Sequence, residues 1–245
     1  MRISRLLVVT AVAVLGLAVA VAVAQTTTYT TNGSVSVKGG TKTKAKPGGL
    51  TFSFDVSDPS GNQTPPLESY SIAFEGGRMN TGLLPACTAA KINANNGDPK
   101  ICPSGSKIGS GSLNALIGTA GQPTATASPC KATLTLFAGG KGHATLLVTS
   151  ELANCPTALS QAIDMQYFTK GPLAGLKFTV PQELRHQLGL DITVIHADSK
   201  INKIVKKGKG FLEATGCSDG KRDLVVTFVD EAGGSFPVTK TLGAC

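Results

Sequence analysis

Residues 130–155 read CKATLTLFAGGKGHATLLVTSELANC, a pattern that is typical of a β-hairpin. Two short runs rich in Leu, Val and Thr, residues 132–137 and 144–149, flank the glycine-rich sequence AGGKG. Apolar runs joined by a few glycine-containing residues predict two antiparallel strands and a tight turn. Because Cys130 and Cys155 lie at the open ends of this hairpin, we predict that a disulfide joins them.

Alternation of apolar and polar residues extends the strand pattern over most of the chain. In residues 50–56, Leu, Phe, Phe and Val occupy every second position, which is typical of a half-buried strand. We therefore predict an all-β fold, a two-sheet antiparallel β-sandwich of immunoglobulin-like or jelly-roll-like type. Further strand candidates are residues 70–74, 108–117, 163–168, 176–180, 190–196, 211–214, 223–229 and 236–242.

One stretch of the chain has the marks of a helix. Residues 181–189, PQELRHQLG, carry proline at the first turn and glycine just past the last. Proline at a helix start and glycine after its end are the usual boundaries of a helix. The pattern predicts one short helix near residues 182–188.

The N-terminus resembles a secretion signal. Arg2 and Arg5 precede the apolar residues 6–24, and the sequence Ala-Val-Ala closes that run. A basic segment, an apolar segment and a small-x-small motif predict a signal peptide, residues 1–24, cleaved to leave Gln25 first. The alternative is an uncleaved membrane anchor, since the apolar run is nearly long enough to span a bilayer.

The rest of the chain, residues 25–245, is predicted to form a single secreted β-sandwich domain. The sequence GTAGQPTATASP has the composition of a linker. A split into two domains near residues 118–130 is therefore the alternative.

All six cysteines follow the predicted signal peptide. An even cysteine count behind a secretion signal predicts disulfides and an extracellular or cell-surface location. No Cys-x-x-Cys motif is present, so we predict no metal and no cofactor. Cys87 and Cys102 are only 15 residues apart and enclose the turn-forming residues 95–99, so we predict that a disulfide joins them. The segment between them is either a stapled binding loop or a pinned crossover. By elimination, Cys217 pairs with Cys245.

The last pair has a geometric consequence. If residues 211–214, 223–229 and 236–242 formed a simple meander, its cysteines would lie two strand spacings apart, about 10 Å. A disulfide tolerates only about 7 Å between Cα atoms. The strand before Cys217 is therefore expected to cross to the facing sheet or to pair directly with the last strand.

The chain is basic, with a formal net charge of +8. The densest cationic stretch is SKINKIVKKGKG, in which two glycines predict a turn between strands. An anionic cell-wall polymer would relieve the repulsion among these lysines, although the same residues would also serve simply to keep a turn soluble. Nucleic acid is a poor partner for a secreted chain in which aromatic residues make up 5%. The predicted polyanion-binding residues are Lys200, Lys203, Lys206, Lys207 and Lys209.

No catalytic motif is complete. The chain lacks a Gly-x-Ser-x-Gly elbow, a His-Glu-x-x-His pair and a phosphate loop. His196 and Asp198 would share one face of a strand, which leaves a catalytic dyad open. We predict no catalytic residues, and the sequence does not decide whether the protein is an enzyme.

The chain resembles a group of uncharacterised secreted, β-rich, disulfide-containing proteins of actinobacteria. The resemblance rests on residues 84–92, LPACTAAKI, on residues 102–111, CPSGSKIGSG, on residues 160–164, and on the closing segment from Cys217 to Cys245. It implies secretion and no assigned activity. We therefore expect a non-catalytic binding or structural protein of the cell envelope, in contact with a wall polymer or another surface protein. A secreted hydrolase of wall polymers is the alternative, and a membrane is contacted only through an uncleaved signal segment.

Overall fold

The fold is described by a computed structural model that covers residues 27–36, 44–217 and 219–245, with strands numbered β1 to β17 in chain order. The predicted signal peptide and Gln25 lie outside these residues. Twelve strands form one antiparallel sheet. They are β1 (Thr28–Val35), β3 (Leu50–Ser57), β4 (Leu67–Glu75), β6 (Lys107–Gly118), β7 (Ser128–Gly140), β8 (His143–Ser150), β9 (Leu159–Lys170), β10 (Leu173–Thr179), β11 (His186–Gln187), β12 (Leu190–Ile201), β16 (Lys221–Asp230) and β17 (Ser235–Ala244).

The hydrogen-bonded order of this sheet is β1-β3-β12-β6-β7-β8-β9-β10-β4-β16-β17, and β11 pairs with β12 outside that path. The first and last strands lie side by side, so the sheet is nearly closed into a barrel. The all-β prediction is confirmed. The predicted pair of facing sheets is replaced by one curled sheet.

The curl has a physical cause that alternation does not reveal. A twisted sheet of more than about ten strands curls on itself, and inward-facing glycines let neighbouring backbones approach. At Gly111 in β6 an added Cβ would lie 2.1 Å from the Asp198 carbonyl oxygen of β12. Since a strand in a sandwich and a strand in a barrel both bury every second residue, the sequence pattern fits either architecture.

A smaller sheet closes one end of the barrel. It contains β2 (Lys46–Gly48), β15 (Leu212–Ala214) and β5 (Gly77–Met79), in that order. β2 leads into β3, and β5 follows β4, so the small sheet links separate parts of the barrel rim. Its Met79 and Leu212, with Phe211 before β15, belong to the main hydrophobic core. We call this sheet the plug and its side of the barrel the plug end.

All three predicted disulfides are confirmed. The Cα atoms are 5.2 Å apart in Cys87–Cys102, 4.1 Å in Cys130–Cys155 and 5.7 Å in Cys217–Cys245. The geometric expectation for the last pair holds only in part: β15, the strand before Cys217, leaves the main sheet, but it joins the small sheet of the plug instead of a facing sheet, and it does not pair with β17. Three disulfides are typical of proteins in an oxidising extracellular compartment.

The segment between β5 and β6 contains an α-helix that the sequence did not predict. α1 (Ala89–Asn93) begins after Thr88, whose hydroxyl caps the helix by accepting from the Lys91 amide. The helix packs on the outer face of the barrel. This burial supports the interpretation of the segment as a pinned crossover. The residues that form its small core are Cys87, Ala89, Ile92, Phe137, Leu147 and Ala162.

The predicted helix near residues 182–188 is wrong. Only a 3-10 turn, Gln182–Leu184, forms there, and β11 follows at once. β11 pairs with the start of β12 through a two-residue turn in which Leu188 has φ 53° and Gly189 has φ 77°. The backbone of β11 therefore forms hydrogen bonds with β12 instead of forming a helix. A helix of this length would be too short to be stable by itself.

The remaining connections are short. Residues 118–130, the alternative boundary between two domains, join the neighbouring strands β6 and β7 and include a 3-10 turn, Thr124–Thr126. A second 3-10 turn, Pro99–Ile101, precedes β6. β13 (Val205–Lys206) and β14 (Lys209–Gly210) form a separate two-stranded hairpin at the plug end.

Aromatic rings hold the seam where the sheet meets itself. Tyr29 of β1 stacks on Phe228 of β16 at 4.8 Å and on Phe236 of β17 at 4.9 Å between ring centroids. In the described strands no hydrogen-bonded register joins β1 to β17. Side-chain packing therefore joins the strands at the seam, whereas backbone hydrogen bonds join neighbouring strands elsewhere in the sheet.

We expect the tyrosines at the seam to make the protein less stable at alkaline pH. Burial, followed by the negative charge of Asp230, raises the pKa of Tyr29 to about 12 from its usual value of 10. In the unfolded chain Tyr29 ionises near its usual value, so ionisation favours unfolding as the pH rises from 10 towards 12. Burial also raises the pKa of Tyr70, which favours unfolding at alkaline pH in the same way.

We expect the free energy of unfolding, measured in urea, to be lower at about pH 11 than at about pH 9. A Tyr29→Phe variant cannot ionise at this position and should lose less stability over the same interval. An equal loss in the variant and the parent would show that Tyr29 does not carry the effect.

Candidate functional site

The barrel encloses a cavity of about 120 Å³ that is lined almost wholly by hydrocarbon. Its walls come from β3, β4, β6 to β10 and β12, because the apolar residues of these strands point inward at every second position. Met79 of the plug faces it from one end and Leu184 from the other. The only hydroxyl groups among the described lining residues are those of Tyr70 and Ser199.

Several inward side chains border open volume instead of a packed neighbour. Phe52, Ile72, Leu113 and Val194 line the cavity, yet each is only half-buried. A core packed to the usual density would cover such residues completely. The interior of the barrel is therefore incompletely filled at its centre.

The plug end is sealed by buried polar contacts. Glu213 is 6% exposed, and its carboxylate accepts from the Gly210 amide at 2.9 Å. Arg222 is 2% exposed and donates to the Thr215 carbonyl at 2.9 Å and to the Glu75 carbonyl. Burial lowers the pKa of Arg222, and the nearby charge of Glu75 opposes this shift. These groups are satisfied within the protein and fix the plug in place.

The other end of the barrel is crossed by residues 181–189, which we call the strap, and we call this side the strap end. The strap connects β10 to β12, and β9, β8, β7 and β6 stand between these two strands in the sheet. The chain must therefore pass from one side of the barrel to the other. Leu184, in the middle of the strap, points into the cavity.

Charged groups hold the strap down. Glu231, in the turn between β16 and β17, makes an ion pair with Arg185 and also contacts His186, whose Nε2 atom lies 2.6 Å from Glu231 Oε1. On its other side, His186 Nδ1 lies 3.0 Å from Asp191 Oδ1. Arg185 Nε donates to the Val180 carbonyl at 3.0 Å. A polar cluster thus sits directly against the apolar cavity.

A neutral contact adds to these ion pairs. The Thr157 hydroxyl donates to Gln187 Oε1 at 2.6 Å. Thr157 lies in the loop between β8 and β9, which the disulfide Cys130–Cys155 ties to β7. Both cysteines line the cavity, so this disulfide belongs to the wall of the site as well as to the frame.

The predicted polyanion-binding lysines lie at the plug end, because β12 carries the chain along the barrel from the strap to the opposite end. Lys206 and Lys209 belong to the hairpin of β13 and β14, whose turn is formed by Lys207 and Gly208, with φ of 52° and 74°. The predicted turn is confirmed. Contact with a polyanion stays a prediction. All five lysines are exposed, and none makes an ion pair within the described residues: Lys200, Lys203, Lys206, Lys207 and Lys209.

His196 and Asp198 do share the outer face of β12. His196 Nδ1 lies 2.7 Å from Asp55 of β3, and its Nε2 lies 4.0 Å from Asp198. The Ser112 hydroxyl donates to Asp198 rather than to the histidine. No serine hydroxyl in the described chain hydrogen-bonds to His196, so the nucleophile–base contact of a serine hydrolase is not formed. An exposed His–carboxylate network on a strand remains.

The residues of the strap cluster were missed by sequence reasoning. Arg185 and His186 fell in the predicted helix, and Glu231 is remote from them in sequence. The signal that could have identified the strap is Leu188, a large apolar residue beside a glycine in a polar stretch. It is 91% exposed, as expected of a turn and not of an amphipathic helix.

The described residues contain neither a metal-binding cluster nor a membrane-spanning helix. No group of three or more His, Cys, Asp or Glu side chains there is arranged to hold a metal ion. Among the described helices, none has the length and apolar character needed to cross a membrane.

Comparisons with protein families, with curated proteins and with solved structures give no match to this chain. The resemblance to secreted proteins of actinobacteria stays a prediction.

Proposed function

We propose that the protein is a non-catalytic secreted or surface-associated protein of the cell envelope that binds the apolar part of a ligand inside its barrel. The observation that carries the proposal is the hydrocarbon-lined cavity of about 120 Å³. Binding sites for small molecules are typically concave, apolar and largely preformed, and barrels of eight or more strands commonly enclose a ligand. The three disulfides favour an extracellular location.

The size and lining of the cavity define which chemical group it can bind. An apolar cavity of about 150 Å³ in another protein stays dry and binds benzene. A cavity of this size therefore suits a group of about one ring, or the end of a hydrocarbon chain. The bound group replaces empty space with van der Waals contacts that the wall otherwise lacks. A polar group would be disfavoured inside, because only two hydroxyls are there to meet it.

The proposal predicts saturable binding of fluorobenzene, detected by fluorine NMR. Replacing Ala132, an inward residue of β7 that lines the cavity, with leucine should fill the space and weaken binding at least about tenfold, the loss of one or two methylene contacts. The control is Thr133→Leu, which adds a similar side chain to the same strand on its exposed outer face. It should bind as the parent does.

Two results would contradict the proposal. The first is absence of saturable binding in the parent. The second is binding that Ala132→Leu leaves unchanged, which would place the probe outside the barrel. Circular dichroism of both variants would establish that the sheet is intact.

A further inference from the structure

The two ends of the cavity differ in how well their lining residues are covered. At the plug end, Leu50 and Ile201 are 3% and 2% exposed. At the strap end, Leu159, Val180 and Ile192 line the same cavity and are half-buried. Ile117, Cys130 and Cys155 line the cavity at this end too and stay buried, so the less completely covered part of the wall is the side of Leu159, Val180 and Ile192, next to the strap.

The two ends also differ in what would have to move. Opening the plug would break a three-stranded sheet and expose Phe211 and Leu212, both 0% exposed. Opening the strap would move only nine residues, of which four are exposed and five half-buried, and would separate Glu231 from Arg185 and His186. Partly exposed ion pairs cost little to break, whereas exposing fully buried rings costs several kcal/mol. The strap end therefore opens at much lower cost.

We infer that the ligand is an amphiphile that enters at the strap end with its hydrocarbon end first, and that its polar head stays among the charged groups of the strap. This inference rests on the proposed function. The cavity holds only about one ring, so the rest of any larger ligand must remain at the strap. There it meets Arg185, His186, Asp191 and Glu231, which offer both donors and acceptors. An apolar remainder would displace water from these groups and offer no hydrogen bond in return.

The path is tested by exchange rates of fluorobenzene, measured by fluorine NMR. In Glu231→Ala the strap loses its two side-chain contacts with the β16–β17 turn, so the rates of uptake and release should both rise about 5- to 20-fold. The equilibrium affinity should change little, because the cavity wall is untouched. Glu231→Gln, a milder change, should give a smaller increase in the same direction.

Two controls fix the location of the path. Arg78→Ala removes an ion pair at the plug end, where Arg78 Nε lies 3.6 Å from Glu213, and should leave the rates unchanged. Glu151→Ala removes an exposed carboxylate at the strap end whose side chain makes no hydrogen bond in the described chain, and should also have no effect. Faster exchange in Arg78→Ala with none in either Glu231 variant would overturn the inference.

The polar head is tested with a matched pair of compounds, para-fluorophenethyl alcohol and para-fluoroethylbenzene. Each places the same ring in the cavity, and only the alcohol brings a hydroxyl to the strap. The alcohol should bind about fivefold more tightly, the value of one net hydrogen bond. Tighter binding of the ethylbenzene would show that the ligand is wholly apolar, while the proposed function would stand. If neither compound nor fluorobenzene binds, the proposed function itself fails.

Discussion

Replacing Phe228 with alanine is expected to lower the free energy of unfolding by about 3–5 kcal/mol, the usual cost of removing a fully buried phenylalanine ring. Phe228 is 0% exposed. Its ring contacts Tyr29 at 4.8 Å, Phe54 at 5.2 Å and Tyr70 at 5.8 Å between centroids. The substitution therefore leaves a cavity and removes three aromatic contacts in one step. Unfolding in urea, followed by far-ultraviolet circular dichroism, measures the loss.

Because Phe228 lies at the seam, its replacement should destabilise the strands there more than the other strands. The ring packs against β1 at the seam, where the described strands show no backbone register between β1 and β17. Hydrogen exchange of β1 and β17 amides should therefore accelerate more in the variant than exchange of β7 and β8 amides. A uniform acceleration over all strands would show that the seam is not held by this ring.

Phe236→Ala is the matched control. Phe236 is 36% exposed, and its one aromatic contact is with Tyr29 at 4.9 Å. Because less apolar surface is buried and no enclosed cavity is left, we expect a loss of only about 1 kcal/mol. Equal losses for the two variants would contradict the assignment of Phe228 as the centre of the seam.

Removal of the Cys130–Cys155 disulfide, as a double alanine variant, is expected to cost about 3–4 kcal/mol from chain entropy alone. The separation of the two cysteines is 25 residues. They are also 4% and 3% exposed and lie in the cavity wall, so lost packing adds to the entropic cost. The total should exceed the entropic value, and thermal unfolding under non-reducing conditions measures it.

The pair Cys217–Cys245 provides the comparison. Its separation of 28 residues gives nearly the same chain entropy, but both cysteines are only half-buried. The double alanine variant at this pair should therefore lose less stability than the variant at Cys130 and Cys155. A larger loss at Cys217 and Cys245 would show that packing around the cavity wall adds nothing.

The candidate site could be predicted only in part. A few of the apolar residues that line the cavity, such as Leu50, Phe52 and Phe54, were placed on one face of a strand, because period-two alternation is a local property. Their enclosure of empty space could not be predicted, since it depends on how far the sheet curls. The strap was misassigned as a helix, because the proline and glycine that bound residues 181–189 are equally compatible with a turn into β12. Glu231 could be linked to Arg185 and His186 only through the folded arrangement of the strap and the remote β16–β17 turn.

The amino-acid sequence alone was sufficient for features that depend on neighbouring residues. Alternation located most of the long strands, the glycine-rich turn placed the β7–β8 hairpin, and that hairpin, a short cysteine interval and elimination together gave the three disulfides. Partner choice between remote strands is different. β4 pairs with β10 and β16, and β12 pairs with β3 and β6, and nothing local selects these neighbours. Closure into a barrel, the plug, the strap and the cavity between them follow from that pairing and from the accumulated twist of the sheet, so they emerge only when the whole chain is folded.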